Sequence, residues 1–418
     1  MHSNRFLTGV NYWPRNKAMY WWRDFDPHEV EDEFDVIADL GMDVVRIFLL
    51  WDDWQETPDS VSLDRLADLG TVCDIASARS LGLDITFFTG HMSGPNWAPR
   101  WLLDTSVGYP SPQVHQVISG GKPVEMPYRN MFDDPTAVEA ERLLLRTVVN
   151  EYRDHDAVWM WNLGNEPDNF AWPTSAAQGT TWVKEMTELI REIDPNHLVT
   201  TGLHTASLLS NNGLRVDDVF ADADIAVMHG YPMYIDWVED PLDSDFVPFL
   251  SALTSALSGI SCLAEEWGGC TAPRGEASQV WNWTAYGEPR SQFMASEDDF
   301  ASYVAAVLPK LVASGSAGSF MWCFADYAED LWDRAPCDDA GARHERHFGL
   351  VRPDGSLKPH AEVIRAFAAT QPTRMTVDWT SSLGVDAATY YETPASSARS
   401  AFERYKSLVA DEHGYSPT

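Results

Sequence analysis

The sequence is poor in cysteine, in basic residues and in long apolar runs, and each shortage excludes a class of protein. Its five cysteines are odd in number and scattered over 418 residues, which argues against a disulfide framework and favours buried thiols in a reducing compartment. Only 29 basic residues stand against 63 acidic ones, and the net charge of −34 argues against nucleic acid and anionic membranes as partners. No apolar stretch is long enough to span a bilayer.

Signatures of several other protein classes are also missing. There is no glycine-rich phosphate loop and no G-x-S-x-G nucleophile motif. Cys337, His344 and His347 could form a metal cluster, but their spacing fits no standard zinc pattern, so we prefer a polar loop and predict no metal site. The first residues contain no basic region followed by an apolar core. We therefore expect no signal peptide and a cytoplasmic location.

The chain is organised around residues 158–168, VWMWNLGNEPD. The apolar first half has the length of a buried strand, and the polar second half presents Glu166 directly after Asn165. Taken alone, Glu166 could simply cap the next helix. A later stretch, residues 260–269 (ISCLAEEWGG), is again apolar and again ends in acid, which favours a functional pair.

Two carboxyl groups that face each other at the mouth of a parallel α/β barrel are the machinery of glycoside cleavage. One must be protonated to give a proton to the leaving oxygen. The other must be ionised to attack the anomeric carbon or to activate water. The pair therefore predicts a glycosidase, provided that the rest of the chain builds the barrel.

Eight strand-like runs alternate with helical patterns, which is the count of a (β/α)₈ TIM barrel. The predicted strands are residues 7–14, 43–51, 83–91, 158–168 (strand and turn), 198–202, 224–232, 260–269 and 316–327. Long βα loops are expected at residues 92–134 and 270–296 and after the eighth strand, and their share of the eighteen tryptophans favours the walls of a sugar site. We assign residues 1–370 to the barrel and 371–418 to a C-terminal extension that packs on it, with a short strand and a helix near 398–409.

On these residues the chain resembles glycoside hydrolase family 5, in the large clan of retaining barrel glycosidases. The resemblance covers residues 7–369 and is most specific at Asn165-Glu166-Pro167 and Glu266-Trp267-Gly268. Single residues fit on other strands: Arg46 on the second, His91 at the end of the third, His229 and Tyr231 on the sixth and Trp322 on the eighth. The resemblance implies the barrel fold, a retaining mechanism and no cofactor.

The resemblance also implies a role for each residue. Glu166 is the general acid/base, with a pKa raised by burial and by the charge of the nucleophile, Glu266. The substrate-binding set follows: Asn165 on the 2-hydroxyl, Tyr231 and Arg46 holding Glu266, His91 and His229 on other hydroxyls, and Trp322 as the floor under the reacting sugar. Because consecutive strand residues face opposite ways, Glu265 is expected behind the sheet.

Within the family, the opening GVNYWP resembles β-mannosidase-like members. A cytoplasmic glycosidase meets short oligosaccharides, and long loops can close one end of a cleft. Both points favour an exo-acting retaining β-mannosidase whose partner is an oligosaccharide or glycoside. The alternatives are an endo-β-1,4-mannanase or endoglucanase, then a β-glucosidase, and last a non-catalytic sugar-binding barrel.

Overall fold

The structure is a computed structural model that describes residues 4–113, 115–285 and 287–412. At its centre is an eight-stranded sheet, and each strand predicted from the sequence is present, most of them shorter at the ends. The strands are β1 (Leu7–Asn11), β2 (Val44–Leu50), β3 (Gly82–Thr89), β4 (Val158–Asn165), β5 (Leu198–Gly202), β6 (Ala226–His229), β7 (Cys262–Gly268) and β8 (Gly318–Trp322).

The strands are parallel and follow one another in chain order around the sheet, with β8 pairing with β1. The two ends of this order, β5 and β6, meet through a parallel bridge between His204 and His229. The Thr205 N–H also donates to the His229 carbonyl oxygen at 3.0 Å. The sheet thereby forms the predicted (β/α)₈ barrel, and the segments that follow the strands gather at its carboxyl-terminal mouth.

The helices around the sheet begin where the sequence has capping residues. Asp26 and Asp134 each accept a backbone N–H at the start of a helix whose first residue is proline, and Ser296 does so before an acidic first turn. The barrel helices are α1 (Pro27–Asp39), α2 (Leu63–Ala78), α3 (Pro135–Tyr152), α4 (Ala176–Ile193), α5 (Val216–Val219), α6 (Phe246–Ser258), α7 (Glu297–Ala313) and α8 (Pro359–Ala368). Among the described residues, no helix has both the length and the apolar character needed to cross a membrane.

Two segments predicted as irregular loops contain strands. Residues 92–134 hold a small sheet of Asn96–Trp97, Val117–Ser119 and Lys122–Val124, and residues 270–296 hold a hairpin of Gln279–Ala285 and Glu288–Met294. Exposure alternates along the first hairpin strand, as expected when one face of a strand is covered. Both segments reach the mouth of the barrel, where His115 and Arg290 line the central cavity.

Many of the tryptophans lie in the core and not in the predicted walls of a sugar site. Eight are fully buried: Trp13, Trp21, Trp22, Trp51, Trp54, Trp97, Trp161 and Trp267. Trp97 and Tyr128, expected on a site wall, are each 1% exposed. The wall prediction is wrong for these two, because large aromatic side chains gain most from burial and here fill the space beneath the loop.

The C-terminal extension packs on the barrel as three helices, α9 (Trp379–Leu383), α10 (Ala387–Tyr390) and α11 (Pro394–Glu412). The Trp379 indole donates to the Ser314 carbonyl oxygen at 2.7 Å, and the Phe402 ring lies 4.9 Å from that of Phe249. In place of the predicted short strand, residues 371–378 form only a single antiparallel bridge, between Thr373 and Arg5, and helices follow from Trp379. The division at residue 370 stays a prediction, and residues 413–418 lie outside the described chain.

Candidate active site

The two predicted acids open into one cavity at the carboxyl-terminal mouth of the barrel. The cavity has a volume of about 890 Å³, and its lining includes Glu166, after β4, and Glu266, in β7. A carboxylate oxygen of one acid lies within 4.8 Å of a carboxylate oxygen of the other. The side chains are 12% and 8% exposed, so each reaches the cavity while most of it is buried.

Glu166 is held at the turn between β4 and the short helix Pro167–Phe170. Its backbone has φ 45° and ψ 56°, a left-handed conformation that non-glycine residues rarely adopt. The side chain makes no capping hydrogen bond to the helix, so the capping interpretation is wrong. Instead, Oε2 accepts from Asn169 Nδ2 at 2.8 Å, and Oε1 lies 2.9 Å from His229 Nδ1.

Glu266 is held through both of its oxygens. The Tyr231 hydroxyl donates to Oε1 at 2.7 Å, and Arg46 Nη1 donates to Oε2 at 3.1 Å, as the resemblance implied. Arg46 is fully buried and also donates to Asn165 Oδ1 at 3.0 Å. Because Arg46 does not line the cavity, its geometry favours positioning of the acid over the predicted direct contact with substrate.

Glu265 lies inside the barrel, and the prediction that it lies behind the sheet is wrong. The pairing register of β7 shifts after Ala264 against both neighbouring strands, which marks a β-bulge. A bulge interrupts the alternation of side chains, so both consecutive acids face the interior. Glu265 is fully buried, accepts from Asn162 Nδ2 at 3.0 Å and lies 2.9 Å from His229 Nε2.

Two histidines place positive charge beside Glu166. The His229 ring has a carboxylate oxygen 2.9 Å from each nitrogen, that of Glu166 on one side and that of Glu265 on the other. His204 Nε2 is 2.8 Å from Asp168 Oδ2, and its Nδ1 is 3.6 Å from Glu166 Oε2. Burial disfavours charge on either ring, but the surrounding carboxylates raise the pKa of both to about 9. With both nitrogens engaged, His229 links the acids, and its contact with a sugar hydroxyl stays a prediction.

These charges reverse the predicted order of the two acid pKa values. Burial favours the neutral form of Glu166, but the charges of His204 and His229 hold its pKa well below the usual range, not above it as predicted. Burial raises the pKa of Glu266 by more than the charge of His229 lowers it. The predicted pKa of Glu166 took account of burial and of the second acid but not of His204. This histidine comes near Glu166 only because the barrel closes at β5 and β6.

The remaining predicted residues, His91, Asn165 and Trp322, all line the cavity. Asn165 Nδ2 donates to the His91 carbonyl oxygen at 3.2 Å, and its Oδ1 accepts from Arg46, so the amide is fixed from two sides. His91 Nδ1 is 2.7 Å from Asn96 Oδ1. Trp322 is 4% exposed at the end of β8. The predicted residues are therefore brought together at the cavity or directly beneath it.

The described residues offer one set of side chains with the spacing of a metal site, namely Glu166, His229 and Glu266. Because both nitrogens of His229 already face carboxylates, we interpret the set as a hydrogen-bonded network of charges. That the protein uses no metal and no cofactor stays a prediction.

The polar residues of the site that the sequence analysis did not identify include Asp168, Asn169, His204 and Glu345. Asn169 lies three positions after Glu166, a helical spacing that brings side chains together, so this contact was predictable. His204 and Glu345 follow β5 and β8, in segments without a regular pattern. Their position at the cavity depends on the closed barrel, and no local sequence pattern predicts it.

A parallel eight-stranded barrel with two carboxyl groups this close at its carboxyl-terminal mouth is the architecture of a retaining barrel glycosidase. The family model described as cellulase (glycosyl hydrolase family 5) matches residues 3–301. The chain belongs to glycosyl hydrolase family 5, as the resemblance indicated.

The curated relatives are named for mannan. The chain is 25% identical over 211 residues to probable mannan endo-1,4-β-mannosidase C of Aspergillus terreus, covering 46% of this chain and 45% of that protein. It is 24% identical over 197 residues to mannan endo-1,4-β-mannosidase A of Hypocrea jecorina, covering 46% and 43%. The matched region thus spans less than half the length of these two relatives.

Solved structures match over more of the chain. The exo-β-1,4-mannosidase Op5Man5 from Opitutaceae bacterium strain TAV5 matches with a TM-score of 0.70 and 25% identity, over 88% of this chain and 60% of that one. A GH5_18 structure from Streptomyces cattleya in complex with GlcNAc matches with a TM-score of 0.77 and 19% identity, over 98% and 92%. At 19% identity, the second likeness supports the fold alone.

Proposed function

We propose that this protein is a retaining, exo-acting β-mannosidase that releases mannose from the non-reducing end of short oligosaccharides. The observation that carries the proposal is the distance of at most 4.8 Å between carboxylate oxygens of Glu166 and Glu266. Retaining glycosidases hold the two carboxyls about 5–5.5 Å apart, because one attacks the anomeric carbon directly, whereas inverting ones need about 6.5–9.5 Å to admit water. The spacing supports retention.

Glu266 is the proposed nucleophile and Glu166 the proposed acid/base. Tyr231 and Arg46 each bind one oxygen of Glu266, which fixes the plane of its carboxylate. Its attack forms a glycosyl ester while Glu166 gives a proton to the leaving oxygen. Water then attacks the anomeric carbon of the ester, Glu166 takes the proton of that water, and the sugar leaves with its original β configuration.

The proton for the first step comes from a protonated histidine beside Glu166. At neutral pH, a pKa of about 9 keeps both His204 and His229 protonated. His229 Nδ1 lies 2.9 Å from Glu166 Oε1, within hydrogen-bonding distance for proton transfer. When a bound sugar displaces water, the neutral acid is favoured, so the proton passes from the ring to Glu166 and on to the leaving oxygen. The proton that Glu166 later takes from water returns to the ring when the product leaves, which restores the starting state.

Three observations support exo action on a short substrate. The cavity, at about 890 Å³, is the size of a small-ligand pocket, for which about 300–1,000 Å³ is usual. The Ser93 hydroxyl, after β3, lies 2.9 Å from the Tyr327 hydroxyl, after β8, so the two loops join beside the cavity. The similar Opitutaceae structure carries the name exo-β-1,4-mannosidase.

The second candidate is an endo-β-1,4-mannanase. The observation in its favour is that the curated relatives are named mannan endo-1,4-β-mannosidases. Such an enzyme cleaves within a polymer and needs a cleft that is open at both ends.

The test supplies aryl β-glycosides of mannose, glucose, galactose, xylose and fucose, followed by manno-oligosaccharides, cello-oligosaccharides and mannan. We expect turnover of the mannoside and, from oligosaccharides, mannose as the first product. Glu266→Ala should lower kcat by several orders of magnitude, because no ester can form. Glu362→Ala, which removes a 56% exposed acid of α8, is the control and should match the unmodified protein.

Each other outcome decides between alternatives. Manno-oligosaccharides of mixed length from mannan would establish the endo enzyme. Turnover of a different glycoside alone would replace the sugar while leaving the mechanism. Binding of sugars without any turnover would indicate a non-catalytic barrel.

A further inference from the structure

A third carboxyl group opens into the cavity beside the two proposed catalytic acids. Glu345 lies in the turn Arg343–His347, in the loop after β8, and lines the same cavity. Its side chain is 14% exposed, similar to the 12% of Glu166 and the 8% of Glu266. The double-displacement mechanism uses two carboxyls, so Glu345 has no part in it as described.

Among the described residues, Glu345 has no ion pair with Arg or Lys. A histidine lies beside it instead, with His344 Nε2 3.6 Å from Glu345 Oε1. Burial lowers the pKa of His344 to about 4, so this ring is neutral at physiological pH. Trp322 and Tyr234 line the cavity together with Glu345, and they lower its pKa by less than burial raises it. A buried carboxyl without a cation contrasts with Asp326, which pairs with Lys358 at 2.7 Å.

Glu345 is suited to binding hydroxyl groups. Burial, followed by the charge of Glu266, raises its pKa to about 8, so at neutral pH it is a carboxylic acid. In that form the group both donates and accepts hydrogen bonds, as a sugar hydroxyl does. Because the cavity gives it no charged partner, a ligand hydroxyl would satisfy a polar group that is otherwise costly to bury.

Glu345 lines the same cavity as Glu266, the proposed nucleophile, and Trp322, the proposed floor of the attacked subsite. The charge of Glu266 raises the pKa of Glu345 more than that of Glu166 does, which favours a position nearer the proposed nucleophile. The adjacent cavity wall is closed by contact between two loops. Gly94, at φ +104°, packs against Ala342 so closely that an added Cβ would lie 2.8 Å from the Ala342 Cβ.

We propose that Glu345 is a specificity-determining residue whose carboxyl binds hydroxyl groups of the terminal sugar in the attacked subsite. There it ends the cavity, so that a second sugar attached to the same hydroxyls would collide with the loop. This inference rests on the proposed function and names the residue that makes the action exo.

The test compares the protein with Glu345→Ala and Glu345→Gln on nitrophenyl β-mannoside and on its 2-, 3-, 4- and 6-deoxy analogues. Glu345→Ala should lower kcat/KM on the parent by about 10- to 100-fold, the usual effect of losing such a hydrogen bond. It should also abolish the penalty for one deoxy position, the hydroxyl that Glu345 binds, while leaving the other penalties unchanged. Glu345→Gln keeps hydrogen-bonding groups and should lie between the two.

Asp333→Ala, an exposed acid of the same loop, is the matched control and should match the unmodified protein in every assay. If Glu345→Ala retains both the rate and all deoxy penalties, the inference is refuted and the proposed function stands. If the unmodified protein hydrolyses none of the glycosides, both fail. If Glu345→Ala does not fold, the same comparison with Glu345→Gln decides, since full retention of every penalty would refute the inference.

Discussion

Replacing Tyr231 with phenylalanine isolates one hydrogen bond of the proposed nucleophile. The hydroxyl donates to Glu266 Oε1 at 2.7 Å, while the ring packs against Phe348 with centroids 5.9 Å apart. Phenylalanine keeps the ring and its packing and removes only the donor. The change therefore tests how much the bond stabilises the ionised form of Glu266.

The size of the effect follows from the type of bond. A hydrogen bond to a charged group contributes about 1.5–3 kcal/mol, and one pKa unit corresponds to about 1.4 kcal/mol. Because the Tyr231 bond favours the carboxylate, its loss should raise the pKa of Glu266 by about one to two units. The nucleophile must be ionised, so the acidic limb of the kcat/KM profile should move to higher pH by the same amount.

The assay is kcat/KM for an aryl β-mannoside between pH 3 and 10, for the unmodified protein and for Tyr231→Phe. Thermal unfolding of both proteins controls for a loss of structure and should give similar midpoints. An acidic limb that does not move would contradict the assignment of that limb to Glu266. A loss of rate that is equal at every pH would show that Tyr231 acts on the transition state and not on the charge of Glu266.

Three further predictions test other parts of the account. The basic limb of the kcat/KM profile should lie near pH 9, because His204 and His229 lose their protons there. A basic limb below pH 7 would contradict the proposal that a protonated histidine supplies the proton to Glu166. Phe402→Ala should lower the free energy of unfolding by about 3–5 kcal/mol in urea titrations, since the ring is 2% exposed against the barrel; a loss below about 1 kcal/mol would show that the extension is dispensable. Burial raises the pKa of Glu33 from 4.5 to about 7. The neutral form of Glu33 should therefore contribute about 3 kcal/mol to the free energy of unfolding below pH 4.5, and this contribution should be lost as the pH rises through 7. Glu33→Gln should therefore make the unfolding midpoint less dependent on pH, and an unchanged dependence would refute this assignment.

The barrel could be predicted from the sequence because its signals are local. Each strand is a short apolar run bounded by turn residues, and helices such as α1 and α3 carry an acidic cap followed by proline. The hairpin of Gln279–Ala285 and Glu288–Met294 lies in a segment predicted to be a loop, although its alternation of exposure is equally local.

The parts of the site that match motifs of the family could be predicted from the sequence. Tyr231 and Arg46 hold Glu266 as implied, whereas the orientation of Glu265 depends on a β-bulge that alternation alone cannot show. His204 meets Glu166 only through the closure of the barrel, and its charge reverses the order of the acid pKa values. Contacts between segments that lie far apart in the sequence cannot be recognised from the residue pattern of either segment.

The central claim is that Glu266 forms a covalent ester with the terminal mannose. The most direct measurement is to incubate the protein with 2-deoxy-2-fluoro-β-mannosyl fluoride, whose fluorine at carbon 2 slows hydrolysis of the ester, and to locate the label by peptide mass spectrometry. The account predicts one fluoromannosyl group per chain, on Glu266 and not on the adjacent Glu265. A label on Glu265, Glu345 or Glu166, or turnover with inversion of the anomeric configuration and no label, would contradict it.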